Sequence, residues 1–207
     1  MGDRGNILYL VVPCYNEEEA LEHTARVMRE KMGRLVREGK ISPKSKIMFV
    51  NDGSRDRTWN IISGLCREDA FFSGICFSRN YGHQSAILSG MLEAAKHADM
   101  AVTIDADLQQ DIEALDLFLE CYQNGAEIVY GIRNNRDSDG LFKKLSATSF
   151  YKLMGMLGCN VMENNADYRL LSKAALEALT EYGEVNLFLR GLIPTIGFPS
   201  DVVYFDV

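Results

Sequence analysis

Five short apolar runs recur along the first two thirds of the chain, and each is followed by a segment with helical spacing. No other feature limits the available folds as much. Residues 7–12, Ile-Leu-Tyr-Leu-Val-Val, read as a buried strand closed by Pro13. Asn16 is placed to cap a helix opening with Glu17, Glu18 and Glu19, acids that suit the positive end of a helix. Leu21, Ala25, Met28, Met32 and Leu35 then recur at helical spacing. Residues 46–50 form a second strand, ending in Asn51-Asp52-Gly53-Ser54, and Ser54 or Asp56 can cap a helix carrying Trp59, Ile62 and Leu65. Residues 74–78, 100–104 and 127–131 are predicted strands, and 83–97 and 111–123 predicted helices. This rhythm predicts an α/β fold, a mostly parallel sheet with helices on both faces. Ligands in such sheets bind beyond the carboxyl ends of strands, so the polar groups after the first, second and fourth strands should share one crevice.

The last third changes character. Arg133, Arg136, Lys143, Lys144 and Lys152 gather there against Asp137 and Asp139, while Phe142, Leu145, Phe150, Leu153 and Met154 point to an amphipathic helix or helix pair. A helix from Ser172 and a strand over 201–205 follow. With no repeat or linker in view, residues 1–207 read as a single domain. Its 47% hydrophobic content is ample for a core, and its net charge of −7 argues against broad nucleic-acid binding. The same negative charge makes a bound cation useful if the substrate is anionic. Five irregularly spaced cysteines read as reduced thiols of a cytoplasmic setting. No signal-peptide pattern opens the chain, and no apolar stretch reaches the length of a membrane span.

Directly behind the fourth apolar run stands Asp105-Ala106-Asp107-Leu108-Gln109-Gln110. Side chains alternate along an extended chain, so Asp105 and Asp107 would share one side. Two such carboxylates repel unless something positive lies between them. Hard oxygen ligands favour Mg²⁺ or Mn²⁺ over zinc, and a magnesium ion with few protein ligands usually also holds substrate phosphates. On spacing alone, a solvated loop leading into the acidic first turn of a helix, continued by Asp111 and Glu113, fits equally well.

Several motifs occur together and in order: Val11-Val-Pro-Cys-Tyr-Asn-Glu-Glu18, Asn51-Asp-Gly-Ser-Arg-Asp56, the Asp105-Ala-Asp-Leu-Gln109 run, and Asn165-Ala-Asp-Tyr-Arg-Leu170. In this combination the chain resembles family 2 glycosyltransferases of the GT-A fold, with a Rossmann-like central sheet. Ser78-Arg-Asn-Tyr-Gly-His-Gln-Ser-Ala-Ile87 adds a likeness to the polyprenyl-phosphate hexosyltransferases, the subgroup of dolichol-phosphate mannose synthases and bactoprenol glucosyltransferases. The likeness runs from about Leu8 to Val203.

That resemblance implies a metal-dependent, inverting transfer of a hexose from a UDP- or GDP-sugar to a polyprenyl phosphate. Carried over, Pro13, Tyr15, Asn16, Glu17 and Asp52 would line the nucleotide pocket. Asp105, Asp107 and Gln109 would hold Mg²⁺ or Mn²⁺ against the diphosphate, which Arg133 would also reach. Lys143 or Lys144 would meet the acceptor phosphate, a solvated basic helix face being the equal alternative for either lysine. Asp167 is the family's late acid, a general base toward a sugar hydroxyl. A phosphate oxygen, already ionised at neutral pH, has no need of one. Toward that acceptor Asp167 would instead position the Lys/Arg shell of the phosphate or a donor-sugar hydroxyl, a catalytic residue with its role open. Many relatives carry a second acid where this chain has Asn51, which leaves the nucleobase open. In the resembled subgroup a basic, glycine-containing segment follows, and many members then carry two membrane helices. The implied location is the cytoplasmic face of the membrane, with contact to its surface made by the full-length protein. Two alternatives keep the donor site: a saccharide acceptor in polysaccharide synthesis, with Asp167 as base, or a nucleotide-sugar-binding domain without turnover.

Overall fold

The computed structural model describes residues 5–134, 165–182 and 189–206. Its elements are β1 (Leu8–Cys14), α1 (Leu21–Arg37), β2 (Lys46–Asn51), α2 (Thr58–Glu68), β3 (Phe72–Cys76), α3 (His83–Ala94), β4 (Met100–Thr103), a 3-10 turn (Ile112–Ala114) and α4 (Leu115–Gln123). After these come β5 (Ile128–Arg133), β6 (Asn165–Ser172), α5 (Lys173–Thr180), α6 (Leu189–Thr195) and β7 (Ser200–Phe205). The seven strands form one mixed sheet in the order β3-β2-β1-β4-β6-β5-β7. β6 runs antiparallel to β4 and β5, and the other pairings are parallel.

Two apolar layers flank the sheet, and β1 feeds both. Leu8, Leu10 and Val12 pack with α1 and α4 on one face, while Tyr9 and Val11 pack with α3, α5 and α6 on the other. This is strand alternation in a sheet covered on both sides. α3 lies hard against the sheet: a Cβ on Gly90 would sit 2.2 Å from Val11 Cγ1.

Several boundaries differ from the sequence reading. Pro13 continues β1 rather than closing it. Its missing N–H costs no ladder bond, because it faces the β4 side, where pairing ends at Val11 with Thr103. Asn16 does not cap α1, which starts only at Leu21. It adopts φ 56°, donates its amide N–H to Ser54 Oγ (2.9 Å) and accepts from the Arg55 amide at 2.9 Å. The turns after β1 and β2 are laced together by these bonds, and Glu18 N–H to Asp56 Oδ2 (3.1 Å) adds another. Asp56 accepts from the Thr58 amide at 3.0 Å but does not cap α2, whose N-cap position is Arg57. Ser172 caps α5 by accepting from the Ala175 amide at 3.2 Å. Strand β6 was not anticipated. The amphipathic segment read at 142–154 lies outside the described residues, and among the described residues no helix is long and apolar enough to cross a membrane.

Candidate active site

The chain winds from β1 outward to β2 and β3, then crosses back to place β4 on the other side of β1. That reversal opens a crevice at the carboxyl ends of β1 and β4, where doubly wound sheets bind ligands. A pocket of about 300 Å³ occupies it. Pro13, Tyr15 and Glu17 enter from the β1 turn, Asp52 from the β2 turn, and Asp105 and Asp107 from the β4 turn. The structure thus brings together six of the residues singled out from sequence.

Local structure fixes these groups. Asp52 is buried and accepts from the Tyr81 amide (2.7 Å) and the Gly82 amide (2.9 Å), so it holds the segment leading into α3. Gly53 beside it has φ 65°, and a Cβ there would lie 2.2 Å from the Arg79 carbonyl carbon. Behind the pocket, Thr24 Oγ1 donates to the Ala106 carbonyl (2.7 Å), and the next residue but one, Leu108, takes φ 56°. Gln110, which the sequence reading passed over, is buried. It accepts from the Asp105 amide (2.9 Å) through Oε1 and donates through Nε2 to Asp105 Oδ2 (2.5 Å). Gln109, the expected third metal ligand, is exposed and lies outside the pocket wall.

The pocket is electrostatically acidic. Burial raises the Asp105 carboxyl above its ordinary range; His83 opposes this, and Asp107 and Asp167 add to it. Glu17 is raised by burial, then by Asp107, Asp56 and Asp105. Clustered carboxyls pushed upward in this way match a site that receives positive charge. Among the described residues no three His, Cys, Asp or Glu side chains are gathered as a metal cage. Two carboxylates on one pocket wall instead fit a hard cation that completes its shell with substrate oxygens. Arg133, at the end of β5, lies outside the wall but near enough to lower Asp105 electrostatically. Its Nε is buried and has no hydrogen-bond partner among the described residues.

Asp167 stands one side chain behind the wall. It alternates along β6 with Tyr168, so it points to the α3 and α6 side. There Oδ1 accepts from Arg169 Nη2 (2.7 Å) and Arg190 Nε (3.2 Å), and Oδ2 from Arg190 Nη2 (2.9 Å) and Gln84 Nε2 (3.0 Å). Burial would raise this carboxyl, but His83 and the two guanidiniums outweigh it and hold it well below the usual carboxylate range. His83, at the first turn of α3, does line the pocket. Its Nε2 lies 3.6 Å from Asp105 Oδ1 and 3.5 Å from Asp167 Oδ2. Contact with Asp167 raises the imidazole's pKa against the effect of burial. The polar run from Ser78 to Gln84 behind the third strand was the sequence signal for His83 and Gln84; Arg190 had none beyond its charge. Lys143 and Lys144 lie outside the described residues.

Residues 9–180 match the model of glycosyl transferase family 2. The chain is 44% identical, over 97% of its length and 59% of the relative's, to the uncharacterized glycosyltransferase YkoT of Bacillus subtilis. It is 36% identical, over 94% of its length and 61% of the relative's, to the bactoprenol glucosyl transferase of Shigella phage SfV. The chain therefore spans about three fifths of the length of these relatives. Its fold is that of glucosyl-3-phosphoglycerate synthase from Mycobacterium tuberculosis, solved with Mn²⁺, UDP and glucosyl-3-phosphoglycerate. The two share 17% identity and a TM-score of 0.57, covering 98% of this chain and 71% of that one.

Proposed function

The chain belongs to glycosyl transferase family 2, and from that premise we propose that it is the catalytic domain of an inverting, cation-dependent hexosyltransferase using a UDP- or GDP-sugar and a polyprenyl phosphate. The observation that carries this reading is the gathering of Pro13, Tyr15, Glu17, Asp52, Asp105 and Asp107 at the crevice between β1 and β4. The bactoprenol glucosyl transferase relative supports the lipid-phosphate acceptor.

In this account the β1 and β2 turns hold the nucleoside. Asn16 acts by lacing those turns together, and Asp52 offers its carboxylate toward a base N–H or a ribose hydroxyl while fixing the Tyr81–Gly82 backbone. Asp105 and Asp107 would hold Mg²⁺ or Mn²⁺, which when bound offsets the charge that develops on the departing nucleoside diphosphate. Arg133 is suited to phosphate oxygens, since a guanidinium presents a planar fork of donors. Lys143 and Lys144 remain the proposed acceptor-phosphate contacts. Gln110 holds Asp105 in one orientation, so the carboxylate does not need to reorganise when the donor arrives. The acting protein would work at the cytoplasmic face of the membrane, where a prenyl phosphate is accessible.

The test is transfer by the full-length protein from labelled UDP-glucose, UDP-GlcNAc or GDP-mannose, with Mn²⁺, to a short-chain prenyl phosphate or to an oligosaccharide. Labelled prenyl-phosphate sugar is the expected product. Product on the oligosaccharide alone would refute the lipid-phosphate acceptor, and donor binding without any product would refute turnover.

A further inference from the structure

Asp167 is the carboxylate that the family resemblance offers as a base, yet its lone pairs are already in use. An ionised carboxylate offers about four lone-pair sites. Four donor atoms take them: Arg169 Nη2 at 2.7 Å, Arg190 Nε at 3.2 Å, Arg190 Nη2 at 2.9 Å and Gln84 Nε2 at 3.0 Å. His83 Nε2 stands 3.5 Å away on the pocket side. A general base needs a lone pair within reach of the proton it removes. Arg169 has a side chain only 1% exposed, so its guanidinium is committed to the interior. Arg190 differs, its side chain being 43% exposed at the start of α6.

We propose that Asp167 is a positioning residue rather than the base: its carboxylate is the hub that holds the half-exposed Arg190 and the pocket-lining His83 for the phosphate oxygens of a substrate. This rests on the hexosyl-transfer reading above and narrows its acceptor. With the lone pairs of Asp167 engaged, the nucleophile that suits this site is one that arrives ionised, as a phosphate oxygen does. The acceptor oxygen forms the new bond to the anomeric carbon as the bond from that carbon to the diphosphate oxygen breaks. The electron pair leaves with the nucleoside diphosphate, and no proton moves. The phosphate served by Arg190 and His83 belongs to the donor or to the acceptor, two sources with one chemistry that guanidinium and imidazole groups recognise alike.

The experiment is a double-mutant cycle in the full-length protein, Asp167→Asn, Arg190→Gln and both together, with kcat and KM measured separately for the nucleotide sugar and the prenyl phosphate. A positioning hub predicts that each single change raises KM for one phosphate-bearing substrate by about tenfold or more, that kcat falls by less than about a hundredfold, and that the double variant is no worse than the poorer single, since the two residues act as one unit. The KM that rises names the phosphate. A fall in kcat of more than about a hundredfold in Asp167→Asn, with KM unchanged and with effects that multiply, would overturn the proposal. If Asp167→Asn does not fold, Arg190→Gln decides alone: loss of activity through KM supports the hub, whereas retained activity with KM unchanged, or new transfer to a sugar hydroxyl, overturns it. Wild-type protein that binds nucleotide sugar but transfers only to a hydroxyl refutes this inference and leaves the donor site standing. Wild-type protein that binds no nucleotide sugar refutes both.

Discussion

Asp105 carries the electrostatic tension of the pocket. Its carboxyl is raised by burial and by Asp107 and Asp167. A carboxyl raised on folding works against the fold once pH exceeds its unfolded value, so the ionised Asp105 costs stability near neutrality unless a cation sits beside it. Asp105→Asn keeps an acceptor for Gln110 Nε2 and removes the charge. In metal-free buffer it is expected to melt no lower than wild type, and in the presence of Mn²⁺ to lose cation-dependent donor binding. Calorimetric melting beside a donor titration reads both, and a clearly lower melting temperature in metal-free buffer would contradict the charge argument. Gly53 is constrained twice, by φ 65° and by the Arg79 backbone 2.2 Å from any Cβ. Gly53→Ala should cost about 2 kcal/mol or more in denaturant unfolding, because neither backbone can give way cheaply. Unchanged stability would show that the turn relaxes.

The helices are fastened by charge as well as by apolar contact. Lys31 on α1 is buried and reaches Glu113 Oε2 at 2.9 Å and Asp116 Oδ2 at 2.6 Å, and Arg34 meets both acids at 2.7 Å. Burial would raise the Asp116 carboxyl, but hydrogen bonds from Lys31 and Lys40 outweigh it and bring it down to about 2. A depressed carboxyl stabilises the fold above its unfolded pKa, near 3.8, and that contribution disappears as pH falls toward 2. Lys31→Met should therefore lower stability at neutral pH and flatten its loss between about pH 4 and 2, as measured by urea unfolding across that range. On the other face, Gly90→Ala should destabilise despite the helix propensity of alanine, worth about 1 kcal/mol, because overpacking against Val11 costs about 1–3 kcal/mol. The five strands that alternate with helices were legible because each is an apolar run bounded by polar turns. β6 was not, because Asp167 and Arg169 break its apolar pattern. Alternation with Tyr168 and Leu170 was the available signal, and such a strand is tenable in a covered sheet because the two charges pair and Asp167 also accepts from Arg190 and Gln84. Asn16 misled as a helix cap because its polar groups are satisfied across the chain by Ser54 and Arg55, a partnership that local spacing does not reveal.

Across the whole molecule, one topological reversal places the site. The crossing from β3 back to β4 brings Asp105 and Asp107 beside the β1 turn, so residues some ninety positions apart line one pocket. Those turns were visible in the sequence as polar ends of apolar runs. His83, Gln84 and Arg190 were not visible as a set, because their relation runs through Asp167 and exists only once β6, α3 and α6 are packed. The proposed donor binding depends on this pocket and on Arg133, and the proposed acceptor on Asp167 and on residues beyond the described ones. Calorimetric titration of the chain with UDP-glucose, UDP-GlcNAc and GDP-mannose, with and without Mn²⁺ and in parallel with Asp107→Asn, tests the central claim most directly. Saturable binding of one nucleotide sugar that requires Mn²⁺ and is weakened by Asp107→Asn is the expected result; absence of Mn²⁺-dependent binding to all three would contradict it.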